Sequence, residues 1–146
     1  MPREIVGPER ISRFLFSSGE LTRAFVKPRA FDPGRYNEVS ICCSEGLSED
    51  EIWRIAQSVL QEKRIHNRNI RLHGRGDFLA SEVLQATSQS PGGVPIGLRV
   101  EQDDMGWIRH GGIKNWPEDA ELRAWVQQTI ASKCNLFRYQ HDTRQG

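Results

Sequence analysis

The sequence lacks several features that would assign the protein directly to a functional class. It has no apolar run near the 18 residues of a membrane-spanning helix and no pattern of a secretory signal peptide. Neither sign of charge dominates, because 20 basic residues face 19 acidic ones, so bulk charge does not predict a protein that coats nucleic acid. We therefore expect a cytoplasmic protein in which only local patches of charge bind ligands.

Cysteine and histidine are too few and too scattered for a disulfide framework or a metal site. Cys42 and Cys43 are adjacent, and Cys134 is far away along the chain. Neighbouring residues of a strand point to opposite faces, so Cys42 and Cys43 are not expected to bond each other. No His-x-x-x-His pair occurs among the four histidines, His66, His73, His110 and His141. The sequence thus predicts no metal ion and no cofactor.

The periodicity of apolar residues predicts a single α+β domain over residues 1–146. Alternation predicts strands at 10–16, 38–43, 70–73 and 96–101, with weaker candidates at 107–113 and 136–139. Helical spacing predicts longer helices at 49–63 and 118–133, and a short helix at 78–87 that Asp77 caps. We expect a small, mainly antiparallel sheet packed against these three helices, with loose termini at 1–9 and 141–146. The clearest helix start is Ser48-Glu49-Asp50-Glu51, which matches a capping box.

A glycine-rich stretch between a predicted strand and a predicted helix, 106–117, is the first candidate ligand site. Gly111-Gly112 predicts a turn or a close approach of the backbone to a ligand, and polar donors surround it. The interpretation given more weight is a glycine turn whose tryptophan covers the core. Its candidate ligand-binding residues are Arg109, His110, Lys114 and Trp116, and Arg75 joins them from a second stretch described below.

The second candidate stretch is His73-Gly74-Arg75-Gly76-Asp77. Its glycines predict a strand-to-helix turn that cradles an anion, with Arg75 as the ligand for phosphate or carboxylate. No Gly-Lys-Ser/Thr follows, so it is not a Walker loop. A tight turn that only caps a helix is the alternative, and it is given slightly more weight.

Five basic residues without an acid form the only charge run of the chain. They are Lys63, Arg64, Arg68, Arg71 and Arg75. Such a run predicts nucleic-acid binding with an affinity that falls steeply with salt. The run contains no aromatic residue on which bases could stack, so any stacking partner must come from elsewhere in the fold.

An enzymatic alternative uses the two histidines that lie in the glycine-rich stretches. His73 and His110 would act as acid and base on a phosphate-bearing substrate such as RNA or a nucleotide, with Arg75 and Arg109 stabilising charge. This reading requires the two stretches to meet in the fold. Possible nucleophiles for such a site are Ser40, Ser81 and Cys42, although none lies in a recognisable nucleophile elbow.

Several segments resemble a group of uncharacterised small bacterial proteins. The matching segments are Lys27-Pro28-Arg29-Ala30-Phe31, Leu47-Ser48-x-x-Glu51-Ile52-Trp53, Arg75-Gly76-Asp77 and His110-x-x-Ile113-x-x-Trp116-Pro117. The resemblance implies a setting in mobile elements or antiviral defence, and it supplies no catalytic residue. With near-neutral charge and no nucleophile motif, the first expectation is a small binding or adaptor protein that acts with a larger protein partner. Nucleic-acid binding and metal-independent catalysis remain the alternatives, and the oligomeric state is not predicted.

Overall fold

The computed structural model describes residues 2–140, which form an α+β domain. The strands in this range are β1 (Arg3–Glu4), β2 (Arg10–Leu15), β3 (Glu38–Cys43), β4 (Gly74–Leu79), β5 (Arg99–Gln102), β6 (His110–Lys114) and β7 (Asn135–Arg138). The α-helices are α1 (Glu49–His66), α2 (Ala80–Ala86) and α3 (Ala120–Ser132), and short 3-10 helices cover Ser18–Glu20, Pro28–Phe31 and Gly34–Tyr36. None of these helices is long and apolar enough to cross a membrane.

The seven strands make one antiparallel sheet in the order β1-β5-β6-β3-β2-β4-β7. Helix α1 packs on one face, where its Ile52, Ala56 and Leu60 meet Phe14 and Cys42. The larger core lies on the opposite face, beneath α2, α3 and the Pro28–Phe31 turn. The predicted α+β class, with a mainly antiparallel sheet, two longer helices and one short helix, is therefore confirmed.

Local sequence signals place α1 and β3 correctly. The Ser48 Oγ accepts from the Glu51 N–H at 3.2 Å, and the Glu51 carboxylate accepts from the Ser48 N–H at 2.9 Å, which completes the capping box. Helix α1 ends three residues later than predicted, at His66. Strand β3 has the predicted bounds, and its Val39 and Ile41 are buried in the larger core.

The prediction of a turn at 73–77 is wrong, because Gly74–Leu79 is a strand paired on both sides, with β2 and with β7. Gly74 and Gly76 lie where a side chain would clash with neighbouring atoms. A Cβ on Gly74 would lie 2.7 Å from the Phe137 carbonyl oxygen, and one on Gly76 would lie 2.8 Å from Val26 Cγ2. Asp77 consequently caps no helix, and α2 begins at Ala80 without a side-chain cap.

The prediction of a turn at Gly111-Gly112 is also wrong, because both glycines lie within β6, between β3 and β5. The turn comes earlier, at 103–109, where Gly106 has a φ of 84° and Arg109 a φ of 75°. Trp116 is 3% exposed and donates from Nε1 to the Ile113 carbonyl at 2.9 Å, so it covers the core.

The N-terminal segment is more ordered than predicted. Arg3 and Glu4 pair with β5, and Ile5 is buried, so the expectation of a loose terminus at 1–9 is wrong for these residues. The corresponding expectation for 141–146 lies outside the described residues.

Candidate anion-binding pocket

An open pocket of about 460 Å³ lies where the end of β2 meets the C-terminal end of α1. Three basic side chains, Arg13, Lys63 and Arg71, line it together with His73. The remaining lining residues are one acid and a mostly polar set, Glu20, Phe16, Ser17, Ser18, Asn67, Asn69 and Ile70. This concentration of positive charge makes the pocket the principal candidate for a functional site in the described part of the chain.

The segment that follows α1 brings the basic residues together. The Asn67 N–H donates to the Lys63 carbonyl at 3.1 Å, and the Asn69 N–H donates to Asn67 Oδ1 at 3.1 Å, so the chain turns sharply. It then runs back beside β2, where the His73 N–H donates to the Leu15 carbonyl at 2.9 Å. The reversal sets residues 71–73 beside the last turn of α1.

Arg13 is fixed by backbone acceptors on two neighbouring segments. Its Nε donates to the Ala30 carbonyl and its Nη1 to the Ser40 carbonyl, each at 2.8 Å. Among the described residues, its ion-pair partner is Glu20, at 3.7 Å. Burial lowers the pKa of Arg13, and the charge of Glu20 only partly opposes this effect. Glu20 itself already accepts hydrogen bonds from the N–H groups of Phe16 and Ser17.

Lys63 has no carboxylate partner among the described residues, and its ammonium lies 5.1 Å from the centre of the Phe16 ring. The side chain reaches solvent, yet the surrounding protein atoms remove part of the hydration of its ammonium. This partial desolvation is the main cause that lowers the pKa of Lys63, and repulsion from Arg13 is the second cause. A bound anion would offset both effects, because it would place further negative charge beside Lys63 and Arg13.

The C-terminal end of α1 contributes partial negative charge to the same region. Lys63, Arg64 and His66 in the last turn offset that dipole. The hydroxyls and amides of the pocket, such as Ser18 and Asn69, add neutral hydrogen-bond donors. The arrangement therefore suits an anion that combines charge with several acceptor oxygens.

Of the five predicted basic residues, Lys63 and Arg71 line the pocket, and two more lie next to it. Arg64 is half-buried and donates from Nε to the Ile70 carbonyl at 2.9 Å, whereas Arg68 is exposed. The fifth residue, Arg75, lies in the interior and is fully buried. The prediction that Arg75 binds a ligand or belongs to the basic patch is wrong, because its side chain has no access to solvent.

Arg75 is instead the centre of a buried ionic cluster. Its Nε donates to Asp77 Oδ1 at 3.0 Å, its Nη2 donates to Glu49 Oε1 at 2.8 Å, and its guanidinium lies 4.6 Å from the Trp53 ring and 4.5 Å from the Phe137 ring. Burial opposes the charge, but the hydrogen bonds that Arg75 donates to Glu49 and Asp77 outweigh it and raise the pKa of Arg75. Its Nη1 finds no partner among the described residues.

The residues predicted around His110 lie elsewhere on the sheet. Strands β3 and β2 separate β6 from β4, which puts the His110 and Arg75 stretches roughly 14 Å apart at the usual strand spacing. The proposed acid–base pair of His73 and His110 is therefore wrong. Arg109 donates to the carbonyls of Cys43 and Glu45. Lys114 lies among carboxylates, 3.4 Å from Glu38 and 3.2 Å from Glu101, in surroundings that do not favour a phosphate.

Sequence reasoning missed Arg13, Phe16 and Glu20 as parts of the pocket. Arg13 sits in an alternating strand segment, and nothing in its local pattern separates it from a solvent-facing charge. Its role depends on the pairing of distant segments, which a single sequence does not reveal.

Comparison with protein-family models, with curated proteins and with solved structures finds no significant match. The resemblance to small bacterial proteins, with the setting in mobile elements or antiviral defence that it implies, therefore stays a prediction. Among residues 2–140, no three His, Cys, Asp or Glu side chains are placed to hold a metal ion together.

Proposed function

We propose that the protein binds single-stranded nucleic acid through the anion-binding pocket. The observation that carries the proposal is the convergence of Arg13, Lys63 and Arg71 on one pocket in which Glu20 is the only acid among the described lining residues. Basic side chains that converge on one open pocket favour a ligand that carries negative charge.

The surroundings of the pocket favour a polyanion over a single phosphate. Arg64 and Arg68 extend the positive surface beyond the pocket along the end of α1. The pocket volume falls within the range of small-molecule sites, so it accommodates one nucleotide while the flanking arginines follow the backbone. Phe16 adds an aromatic ring at the pocket wall, although Lys63 covers one of its faces.

The test is a fluorescence-anisotropy titration with a fluorescein-labelled oligouridylate at several salt concentrations. Lys63→Met keeps the apolar stem and removes the charge, and Lys133→Met is the matched control at an exposed lysine that lines a different pocket, beside Leu79 and Glu82. We expect Lys63→Met to weaken binding and to reduce the salt slope by about 0.7 per lost phosphate contact. Lys133→Met should bind as the unaltered protein does.

Two results would decide against this proposal. Equal binding by both lysine variants would place the nucleic acid elsewhere. Binding of uridine monophosphate or pyrophosphate without binding of the oligouridylate would reassign the pocket to a small phosphate-bearing ligand.

A second candidate function is the adaptor role, in which the chain acts with a larger protein partner. It is favoured by Met105 and Ile108, which are 69% and 78% exposed on the 103–109 turn. Adjacent exposed apolar side chains on a turn are typical of a contact surface. A photocrosslinking residue in place of Ile108 should give one discrete adduct in cells, whereas the same residue in place of Val94, which is 45% exposed, should not. Similar adduct patterns at both positions would contradict the adaptor role.

A further inference from the structure

The part of the sheet that α1 leaves uncovered carries a second polar cluster. Ser40 of β3 is exposed, and the β3–β6 register places it opposite Gly112, two residues from His110 on the same face. Asp103 begins the turn that joins β5 to β6, and its N–H donates to the His110 carbonyl at 3.0 Å. Three distant positions of the sequence are thus held together by the sheet.

The three side chains form one hydrogen-bonded chain. His110 Nδ1 lies 2.7 Å from Asp103 Oδ1, and His110 Nε2 lies 3.2 Å from Ser40 Oγ. Burial opposes ionisation of Asp103, but the hydrogen bonds from His110 and from the Met105 N–H outweigh it and lower the pKa of Asp103. An ionised carboxylate accepts hydrogen bonds only, so Nδ1 carries the proton. In the neutral imidazole, Nε2 is then the acceptor for the Ser40 hydroxyl.

We propose that Ser40, His110 and Asp103 form a serine nucleophile site that hydrolyses acyl esters. A serine hydroxyl bonded to a histidine whose other nitrogen is held by a carboxylate is the arrangement that activates serine on unrelated folds. Ser40 and His110 are the catalytic residues, and Asp103 is the positioning residue. The side chains of this site do not line the anion-binding pocket, although Arg13 of that pocket donates to the Ser40 backbone carbonyl.

The surroundings support the roles of the three residues. The Trp107 ring packs edge-on against His110, with 4.9 Å between ring centres, and restrains the imidazole. Cys42, the other nucleophile weighed on this face, is buried, and burial raises the pKa of Cys42 to about 12. The Cys42 thiol therefore stays protonated at neutral pH, which leaves the exposed Ser40 as the nucleophile.

The adjoining pocket indicates the substrate class. A space of about 460 Å³ is lined by His110 and Asp103 together with Pro2, Glu38, Met105 and Lys114. Two carboxylates at this rim disfavour an anionic substrate, and Met105 provides an apolar wall. Lys114 is the cation of the rim, and its ammonium is already paired with Glu38 and Glu101. The substrate is therefore a neutral or cationic ester of a small acyl group.

The reaction balances with water as the only co-reactant. The Ser40 Oγ attacks the acyl carbon while its proton passes to His110 Nε2, and the bond from the acyl carbon to the alkoxy oxygen breaks as His110 returns that proton to the leaving alcohol. Water then attacks the acyl-serine, giving its proton to His110, which passes it to Ser40 as the acid is released. The net change is ester plus water to acid plus alcohol.

The first test is covalent labelling of the full-length protein with a fluorescent fluorophosphonate, which forms a serine O–P bond and releases fluoride. We expect one label per chain on the peptide that contains Ser40, with complete loss in Ser40→Ala. Ser58→Ala, which removes an exposed serine of α1 without a histidine partner in residues 2–140, should label fully. Equal labelling of the folded protein and Ser40→Ala, or no labelling of the folded protein, would overturn the proposal.

The second test separates catalysis from structure with p-nitrophenyl acetate. His110→Gln should lower the rate about 100-fold or more, because a glutamine keeps a hydrogen bond but takes no proton. Asp103→Asn should lower kcat with KM unchanged, and Asp103→Glu should restore part of it. Circular dichroism melts check that each variant is folded. A folded His110→Gln protein with an unchanged rate and pH profile would contradict the assignment.

Discussion

Lys63 and Arg75 stand at the two ends of one basic run, yet the fold gives them opposite surroundings. Arg75 is buried between Trp53 and Phe137 and bonded to two carboxylates, whereas the Lys63 ammonium is near cations and has no carboxylate partner among the described residues. A charge run in a sequence can thus divide into one cation that holds the fold together and others that are available to a ligand.

The difference follows from the cost of burying charge. Removing a guanidinium from water costs several kcal/mol even after the protein relaxes, and only nearby opposite charges and hydrogen bonds offset it. Asp77 on β4 and Glu49 on α1 supply them to Arg75. Lys63 keeps part of its hydration, so the fold tolerates it without a partner.

The largest effect is expected from Arg75→Met, which leaves the Asp77 carboxylate buried without its cation. Loss of one partner of a buried ion pair costs about 3–5 kcal/mol. Lys63→Met, in contrast, should change the free energy of unfolding by no more than roughly 0.5 kcal/mol. Urea unfolding followed by circular dichroism measures both values. Similar losses for the two variants would show that burial does not distinguish the two cations.

Combining Arg75→Met with Asp77→Asn should recover part of that loss, because the uncompensated charge disappears with its partner. Contacting charged groups show coupling energies of about 0.5–3 kcal/mol in double-mutant cycles. Asp77 also accepts from the Ser12 hydroxyl at 2.6 Å, so recovery should remain incomplete. Strict additivity of the two single changes would contradict a direct ionic interaction.

A smaller effect is expected from Ser48→Ala, which removes the side-chain cap of α1 next to Glu49. Loss of a capping serine costs about 1 kcal/mol. Ser58→Ala, an exposed change in the middle of α1, should leave the unfolding midpoint almost unchanged, since alanine favours helix. An equal response at both serines would argue against a contribution of the capping box.

The smallest effect is expected in the pH dependence of stability. The hydrogen bond from Arg75 lowers the pKa of Glu49, so the stabilisation is complete above the ordinary glutamate pKa and is lost as pH falls through the lowered one. Glu49 is more than half exposed, which keeps the effect small. Glu49→Gln should flatten the acid limb of the stability curve.

Lys63 should affect the opposite limb. Its pKa is lowered in the folded state, so the unfolded chain holds the proton longer and stability rises as pH increases through that window. Lys63→Met should remove this rise. Thermal melts at a series of pH values test both limbs, and a change on the wrong limb for either variant would contradict the assignment.

Elements with complete local signals could be predicted from the sequence. Helix α1 follows from its capping box and apolar spacing, and β3 follows from the alternation around Val39 and Ile41. Strand β4 could not be predicted, because its glycines and charges, Gly74 to Asp77, resemble a turn in isolation. They lie in a buried strand because Ser12 and Glu49 form hydrogen bonds with its charged side chains and Phe137 pairs with it, all from distant segments of the chain.

The candidate sites show the same limit. Lys63 and Arg71 could be selected from the charge run, but Arg13 could not, because its partners depend on strand pairing. The sequence indicates Ser40 as a possible nucleophile and His110 as a possible base, whereas no local pattern indicates a role for Asp103. Asp103 contacts His110 because the short turn at 103–109 brings the two residues together.

The pairing of β2 with β4 also affects how fast the chain folds. Ser12 and Asp77 meet across 65 positions of sequence, and closing so long a loop costs entropy before any contact is gained. Sheets dominated by such distant pairings fold in about milliseconds to seconds, whereas an isolated helix of this length forms in roughly a microsecond. We therefore expect the contact between Glu49 of α1 and Arg75 to form late, after β4 has joined the sheet.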